Sequence, residues 1–316
     1  MKSHKAKLAG MLAALMLMAL LPAAALAESG TLVNVDWLVD NLKNPEVVVL
    51  DVGEFFHYEK KHIPGAVKAF GPWQTVDEHH RPSMMPPVAD LVKMIRGYGV
   101  NQSSLVVVYD EGITSDDTAK SARAIWTLQA LGRVRVALLD GGFAAWQQAG
   151  QPVSSTPAIP EPGNFDGALD AGKLATLEEV KGKLDSPKTI LVDTRLPDED
   201  FGHEKKSYVK RFGHLPDSRL WPASAMTNAG EDFSPSFLRE QKDLQEMARG
   251  VGIPANKDVE IIVYSNQGMQ AALGYYVLHD LLDYANVKLF DGSILVAAED
   301  ESVPMERFSW GFVKKQ

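Results

Sequence analysis

Residues 139–146 read Leu139-Asp140-Gly141-Gly142-Phe143-Ala144-Ala145-Trp146, and 151 positions later Phe290-Asp291-Gly292-Ser293 repeats the opening of that stretch without its tryptophan. Each follows a short apolar run, Val136–Leu139 in the first case and Val287–Phe290 in the second. Runs of this length are the pattern of strands buried on both faces of a parallel sheet. The repeat widens on either side. Val49-Leu50-Asp51 answers Leu191-Val192-Asp193, 142 positions on. His62-Ile63-Pro64-Gly65-Ala66 answers His214-Leu215-Pro216-Asp217-Ser218 at an offset of 152, and Val108-Tyr109 answers Val263-Tyr264 at 155. Ordered matches with slightly varying offsets describe a duplicated domain with loop insertions.

Helical patterns alternate with these runs. Between Leu105–Val108 and Val136–Leu139, the segment Ala119–Leu131 places Ala122, Ile125, Trp126 and Leu131 near a 3.6 period. Asp116 or Asp117 is available as N-cap, and Gly132 lies just past the end. In the second copy, Ile190–Val192 and Ile261–Val263 precede a helix with Leu273, Tyr276, Val277 and Leu281 on one face. The alternation predicts an α/β fold of two domains, each a mainly parallel sheet flanked by helices. The N-terminal domain is expected over 30–150 and the C-terminal domain over 171–316. Residues 151–170 between them hold Pro152, Pro157, Pro160 and Pro162, and read as an extended, semi-rigid linker.

Lys2, Lys5 and Lys7 precede an apolar run from Leu8 to Leu21, and Ala25-Leu26-Ala27 supplies a small-x-small site. Residues 1–27 therefore read as a secretory signal peptide cleaved after Ala27, which places the mature chain in the periplasm or outside the cell. Losing those three lysines takes the net charge from −9 to −12. An acidic chain with no run of basic residues argues against nucleic acid and against anionic lipid surfaces. No later stretch reaches eighteen apolar residues, so no stable membrane insertion is expected. The cysteine count is zero. That excludes disulfides, a lipid-anchoring cysteine, thiolate catalysis and cysteine-ligated metals.

Taken together, the motifs resemble the tandem rhodanese family of thiosulfate and 3-mercaptopyruvate sulfurtransferases, over essentially the whole mature chain. The resemblance rests on the strand-end Asp51 and Asp193, on Lys61–Ala66 and Gly213–Ser218, and on Leu139–Trp146. It implies two tandem rhodanese-like domains. In that family the strand matching Ile261–Tyr264 ends in a catalytic cysteine. A six-residue loop then turns its amides onto the sulfur ahead of a helix N-terminus, an arrangement that stabilises a thiolate or an oxyanion. Here the segment reads Tyr264-Ser265-Asn266-Gln267-Gly268-Met269-Gln270, so Ser265 stands at the cysteine position. In the first domain, which is typically inactive in the family, Asp110 stands there, followed by Glu111.

Persulfide transfer needs a polarisable sulfur nucleophile of lowered pKa, which a serine hydroxyl does not supply. No catalytic residue is therefore expected at either degenerate position, Ser265 or Asp110. The resemblance leaves a ligand-binding loop of Ser265, Asn266, Gln267, Gly268, Met269 and Gln270, with Arg195 of Asp193-Thr194-Arg195 beside it. Arg195 has two readings: a fork for an oxyanion such as thiosulfate, sulfite or a selenium analogue, or a salt bridge to Asp193 or Asp198.

Three further features carry less. The island of His203, Lys205, Lys206, Lys210, Arg211 and His214 reads as a solvated face, or else as an anion-attracting rim. Asp77-Glu78-His79-His80, with Met84 and Met85, lacks metal-ligand spacing and reads as an exposed loop. Trp73, Trp126, Trp146 and Trp221 read as packing or interface residues. The resulting expectation is a non-catalytic binder of a sulfur or selenium oxyanion, or of a partner protein in the cell envelope. It has no cofactor or metal and is a monomer. The alternatives are residual enzyme activity, sulfurtransferase-like or phosphatase-like, centred on the Ser265 loop, and a purely structural scaffold.

Overall fold

β-branched runs too short for a helix pair side by side, and their order shows the duplication in three dimensions. The computed structural model describes residues 30–132, 135–184, 186–228 and 233–311, so the signal peptide expected at 1–27 lies outside the described residues. The first sheet contains β1 (Leu32–Val33), β2 (Val47–Asp51), β3 (Val67–Lys68), β4 (Leu105–Tyr109) and β5 (Arg135–Leu139), in the order β1-β5-β4-β2-β3. The second contains β6 (Leu174–Ala175), β7 (Thr189–Asp193), β8 (Arg219–Leu220), β9 (Glu260–Tyr264) and β10 (Asn286–Phe290), in the order β6-β10-β9-β7-β8. All strand pairs are parallel and the two orders are the same. The register repeats as well: Asp51 sits opposite Tyr109, and Asp193 opposite Tyr264.

Both faces of each sheet are covered, as parallel sheets require. In β4, Val106 and Val108 face one core while Leu105, Val107 and Tyr109 face another. In β9, Ile261 and Val263 share the core of Val106 and Val108, whereas Ile262 and Tyr264 belong to a third. One core thus runs through both domains. Its centre is the packing of helix Ser115–Leu131 on helix Met269–Tyr276, where small residues (Ala119, Ala122, Ala271, Ala272) leave room for Trp126 and Tyr275.

Helix Ser115–Leu131 starts four residues before the sequence pattern suggested, and neither expected N-cap is used. Thr114 caps it, accepting from the Asp117 amide, while Asp117 reaches back to the Thr114 amide at 2.9 Å. This reciprocal capping box satisfies two otherwise orphaned N–H groups, which a single Asp cap would not do. The proline-rich segment is extended but not free. His62 and Ser154 form an antiparallel bridge, and Phe165 is fully buried in the shared core. Trp73, Trp126, Trp146 and Trp221 are all buried.

The interface is also bridged by charge. Arg123, fully buried on helix Ser115–Leu131, donates through Nη1 to Asp291 Oδ1 at 2.5 Å, and Asp291 Oδ2 accepts from the Met85 amide at 2.7 Å. The Arg123 guanidinium lies over the Trp126 ring, 4.7 Å from its centroid. Removing one partner of such a pair strands the other charge in the core, at a cost of about 3–5 kcal/mol. Asp291→Ala is expected to lower unfolding stability by that order in urea denaturation. The double variant Arg123→Met/Asp291→Leu should recover most of the loss.

Candidate functional site

β9 ends at Tyr264, and four residues later the chain enters helix Met269–Tyr276. The turn is closed at Gly268, whose left-handed backbone (φ 78°) suits glycine. Space imposes the same choice, because a Cβ there would meet Arg123 Nη1 at 2.8 Å and the Asp291 carbonyl at 3.0 Å. The loop is pinned from behind. Ser265 N donates to Ser293 Oγ at 3.0 Å, and the carbonyls of Ser265 and Asn266 accept from Ile294 and Leu295 at 3.0 and 3.1 Å.

Inside this frame Ser265 is 0 % exposed, and its Oγ accepts from the Gly268 amide at 3.0 Å. The hydroxyl thereby occupies an amide that would otherwise point at a bound anion. Among the described residues, no histidine, lysine or carboxylate is bonded to Oγ. A buried hydroxyl without a base is not an activated nucleophile. The other loop residues bond to different partners. Asn266 Nδ2 donates to Glu199 Oε1 at 2.9 Å, the Gln267 carbonyl accepts from Gln74 at 3.0 Å, and Gln270 donates to Asp116 at 3.2 Å. Met269 lines an interdomain cavity of about 570 Å³ together with Trp73, Lys120 and Arg123.

Arg195 is not brought to the loop. Its Nε bonds both Asp193 oxygens at 3.0 Å, and Nη2 donates to Asp193 Oδ2 at 2.6 Å and to the Gly213 carbonyl at 2.9 Å. Of its two readings, the structure shows the buried ion pair with Asp193. The side chain that does face the loop is Glu199, an acid that sequence reasoning passed over. The internal repeat could have found it: Glu199 lies 142 positions after His57, the same offset that relates Asp51 to Asp193. Gln74, 193 positions from Gln267, had no local signal.

The basic island is largely structural. The Arg211 guanidinium donates to the carbonyls of Ala297, Ala298, Asp300 and Val303, clamping the C-terminal segment. Lys205 donates to the Val209 carbonyl, and Lys206 pairs with Glu199 at 3.5 Å. His214 is buried with Nδ1 against the Asp200 carbonyl at 2.7 Å, as His62 is against Tyr58 in the first domain. Asp77 accepts from the amides of His79 and Arg81 and from Arg81 Nε, so this carboxylate organises a turn.

The first domain repeats the loop with acids. The carbonyls of Asp110 and Glu111 accept from Phe143 and Ala144 at 2.9 and 2.8 Å, the counterparts of the bonds from Ile294 and Leu295. Asp110 Oδ1 accepts from the Glu111 amide at 2.6 Å, Lys120 stands 3.5 Å from Oδ2, and Glu111 pairs with His57. Burial pushes the Asp110 carboxyl up to about 8; the Lys120 charge opposes this, and the neighbouring acids Asp117 and Asp51 add to it.

A rhodanese-like domain model matches residues 34–149 and again 176–297. A protein of Thermus thermophilus named sulfur carrier protein TtuD is 29% identical over 286 residues, covering 84% of this chain and 93% of its own. A putative thiosulfate sulfurtransferase of Mycobacterium bovis is 28% identical over 276 residues, covering 85% of this chain and 94% of its own. The crystal structure of the 3-mercaptopyruvate sulfotransferase SseA from Escherichia coli superposes with a TM-score of 0.71 at 26% identity, over 84% of this chain and 99% of that one.

The raised carboxyl of Asp110 has a pH signature. In the folded chain it holds its proton up to about pH 8, whereas in the unfolded chain it ionises near the ordinary 3.8. The unfolded state then binds fewer protons across that window, so this group costs stability as pH rises. Asp110→Asn removes the cost. Relative to the native chain the variant is expected to gain stability from about pH 4 to pH 8, by up to about 1.4 kcal/mol per pH unit. The difference should be flat below that window, as read from urea denaturation at a series of pH values.

Proposed function

Because the chain belongs to the rhodanese-like family and contains no cysteine, we propose that it is an exported, non-catalytic member of that family. It acts in the cell envelope as a binder of a small sulfur or selenium oxyanion, or of a partner protein. The observation that carries the reading is Ser265. It stands where the family resemblance places the sulfur nucleophile, is wholly buried, and is tied to the Gly268 amide. An oxygen there cannot take up a sulfane sulfur by thiol exchange, and among the described residues no general base is bonded to it.

Two relatives carry sulfur-related names, a sulfur carrier protein and a putative thiosulfate sulfurtransferase, which supports a ligand from sulfur chemistry. Export rests on the pattern of Lys2 to Ala27. A monomer is proposed because each domain already packs against its duplicate through the shared core. No observation favours phosphatase-like chemistry, since the Ser265 hydroxyl is bonded to the Gly268 amide and, among the described residues, to no base.

The test is thiosulfate:cyanide sulfurtransferase activity of the mature protein, with saturable binding of thiosulfate, sulfite and selenite measured alongside by calorimetry. No turnover is expected from the native chain. Binding without turnover would identify the oxyanion, and absence of binding would turn the search to envelope proteins. Turnover by the native chain would overturn the reading.

A further inference from the structure

The duplication gives the fold two equivalent loop mouths, and they differ in what covers them. Each is crossed by a segment from the opposite domain. At the C-terminal domain's mouth, Gln74 bonds the Gln267 carbonyl and the Met85 amide bonds Asp291. At the N-terminal domain's mouth, the Ser236 amide bonds the Gly112 carbonyl at 2.7 Å and the Leu238 amide bonds Asp140 Oδ1 at 2.9 Å. Over the C-terminal mouth the crossing segment lies flat. Thr75 and Met84 bridge, Met84 packs on the C-terminal core, and Arg81 approaches Glu299 at 4.0 Å. At the N-terminal mouth Phe233 is 82 % exposed, and with Ser234 and Pro235 it lines a cavity of about 650 Å³.

We propose that this N-terminal cleft binds a small amphipathic organic anion: a carboxylate or sulfonate carrying an aromatic or short aliphatic body. The walls are apolar, formed by Ile113, Phe143, Ala144, Phe233 and Pro235. The cations among the described lining residues come from one helix. Lys60 and Lys61, both exposed at the end of helix Phe55–Lys60, line the cleft, and neither forms an ion pair among the described residues. Among the described residues the acid in the lining is Glu111, which is paired with His57. Two open cations beside an apolar wall suit a ligand with a charged head and an apolar body. The volume is in the range of small-molecule sites and is far larger than an inorganic oxyanion needs. In a chain of net charge −9, a local pair of lysines also draws anions to this edge.

The internal repeat supports the assignment. His57 and Glu199 are equivalent at an offset of 142, and Glu111 and Asn266 at 155. Each copy therefore ties a helix side chain to the second residue of its loop. The same frame stands open in one copy and covered in the other. This site lies apart from Ser265 and is independent of what the Ser265 loop binds.

The experiment is isothermal titration calorimetry of the mature protein with benzoate, 3-phenylpropanoate, hexanoate and benzenesulfonate, and with 3-phenylpropanamide as the uncharged control. Saturable binding of at least one of the anions is expected, with the amide at least fivefold weaker than its acid. Lys60→Gln/Lys61→Gln should weaken binding at least fivefold, Ala144→Phe should abolish it by filling the cleft, and Ser265→Ala should leave it unchanged. The lysines are exposed, so their variant keeps the fold and decides the matter if Ala144→Phe does not. No saturable binding, equal binding of amide and acid, or binding that survives the lysine variant would overturn the proposal. Thiosulfate turnover by the native chain would overturn the preceding reading and leave this one standing.

Discussion

The buried pair of Arg123 and Asp291 is the contact on which the arrangement of both domains depends. It crosses the interface between the helix following the first loop and the turn that follows β10. A buried ion pair adds little net stability, because desolvating the two charges roughly offsets their attraction. What it specifies is position. Arg123 Nη1 sits where a Cβ on Gly268 would be, so the loop glycine, the interdomain arginine and the strand-end aspartate fix one another. Asp291 in turn holds the Met85 amide, which anchors the segment that covers the Ser265 loop. One carboxylate thus sets the closeness of the domains, the curl of the loop and the closure of its mouth.

The Ser265 loop keeps the geometry of an anion nest while filling it from within. Its backbone is held by the same pair of strand-to-helix bonds that hold the first domain's loop. The hydroxyl is short enough to fold back onto the Gly268 amide, and Glu199 presents a carboxylate to Asn266 at the entrance. An incoming anion has to take the Gly268 amide from the hydroxyl, and it meets a Glu199 charge that Lys206 offsets at 3.5 Å. A serine in this frame is consistent with a loop that has become part of the packing.

Much of the fold was legible in the chain because duplication turns weak local patterns into mutual support. Val49–Asp51 alone is an ambiguous apolar run; paired with Leu191–Asp193 it fixes the strand, its end and its neighbour. The site was less legible, for reasons of distance and competition. Thr114 outcompeted Asp116 and Asp117 as a cap because a reciprocal box satisfies two amides instead of one. Arg195 read equally well as an anion fork or as a strand-end pair. The choice turned on burial, which drives a guanidinium to the nearest carboxylate. Gln74 and Glu199 reach the loop only through tertiary packing, 193 and 67 positions away.

The two mouths show how a duplicated scaffold can separate roles without altering its backbone. Strand order, register and loop anchors are common to both copies. The differences lie in side chains: a buried neutral carboxyl at Asp110 against a buried hydroxyl at Ser265, and His57 with Glu111 against Glu199 with Asn266. An ion pair beside exposed lysines lines a cavity at one mouth, whereas at the other Glu199 is bonded to Asn266, paired with Lys206, and lies beside a flat crossing segment. Because the shared core couples the domains through Trp126 and Tyr275, the covered mouth still has a structural task. Gln270 at that mouth donates to Asp116 at the start of helix Ser115–Leu131, which ties the two mouths to each other whether or not Ser265 meets a ligand.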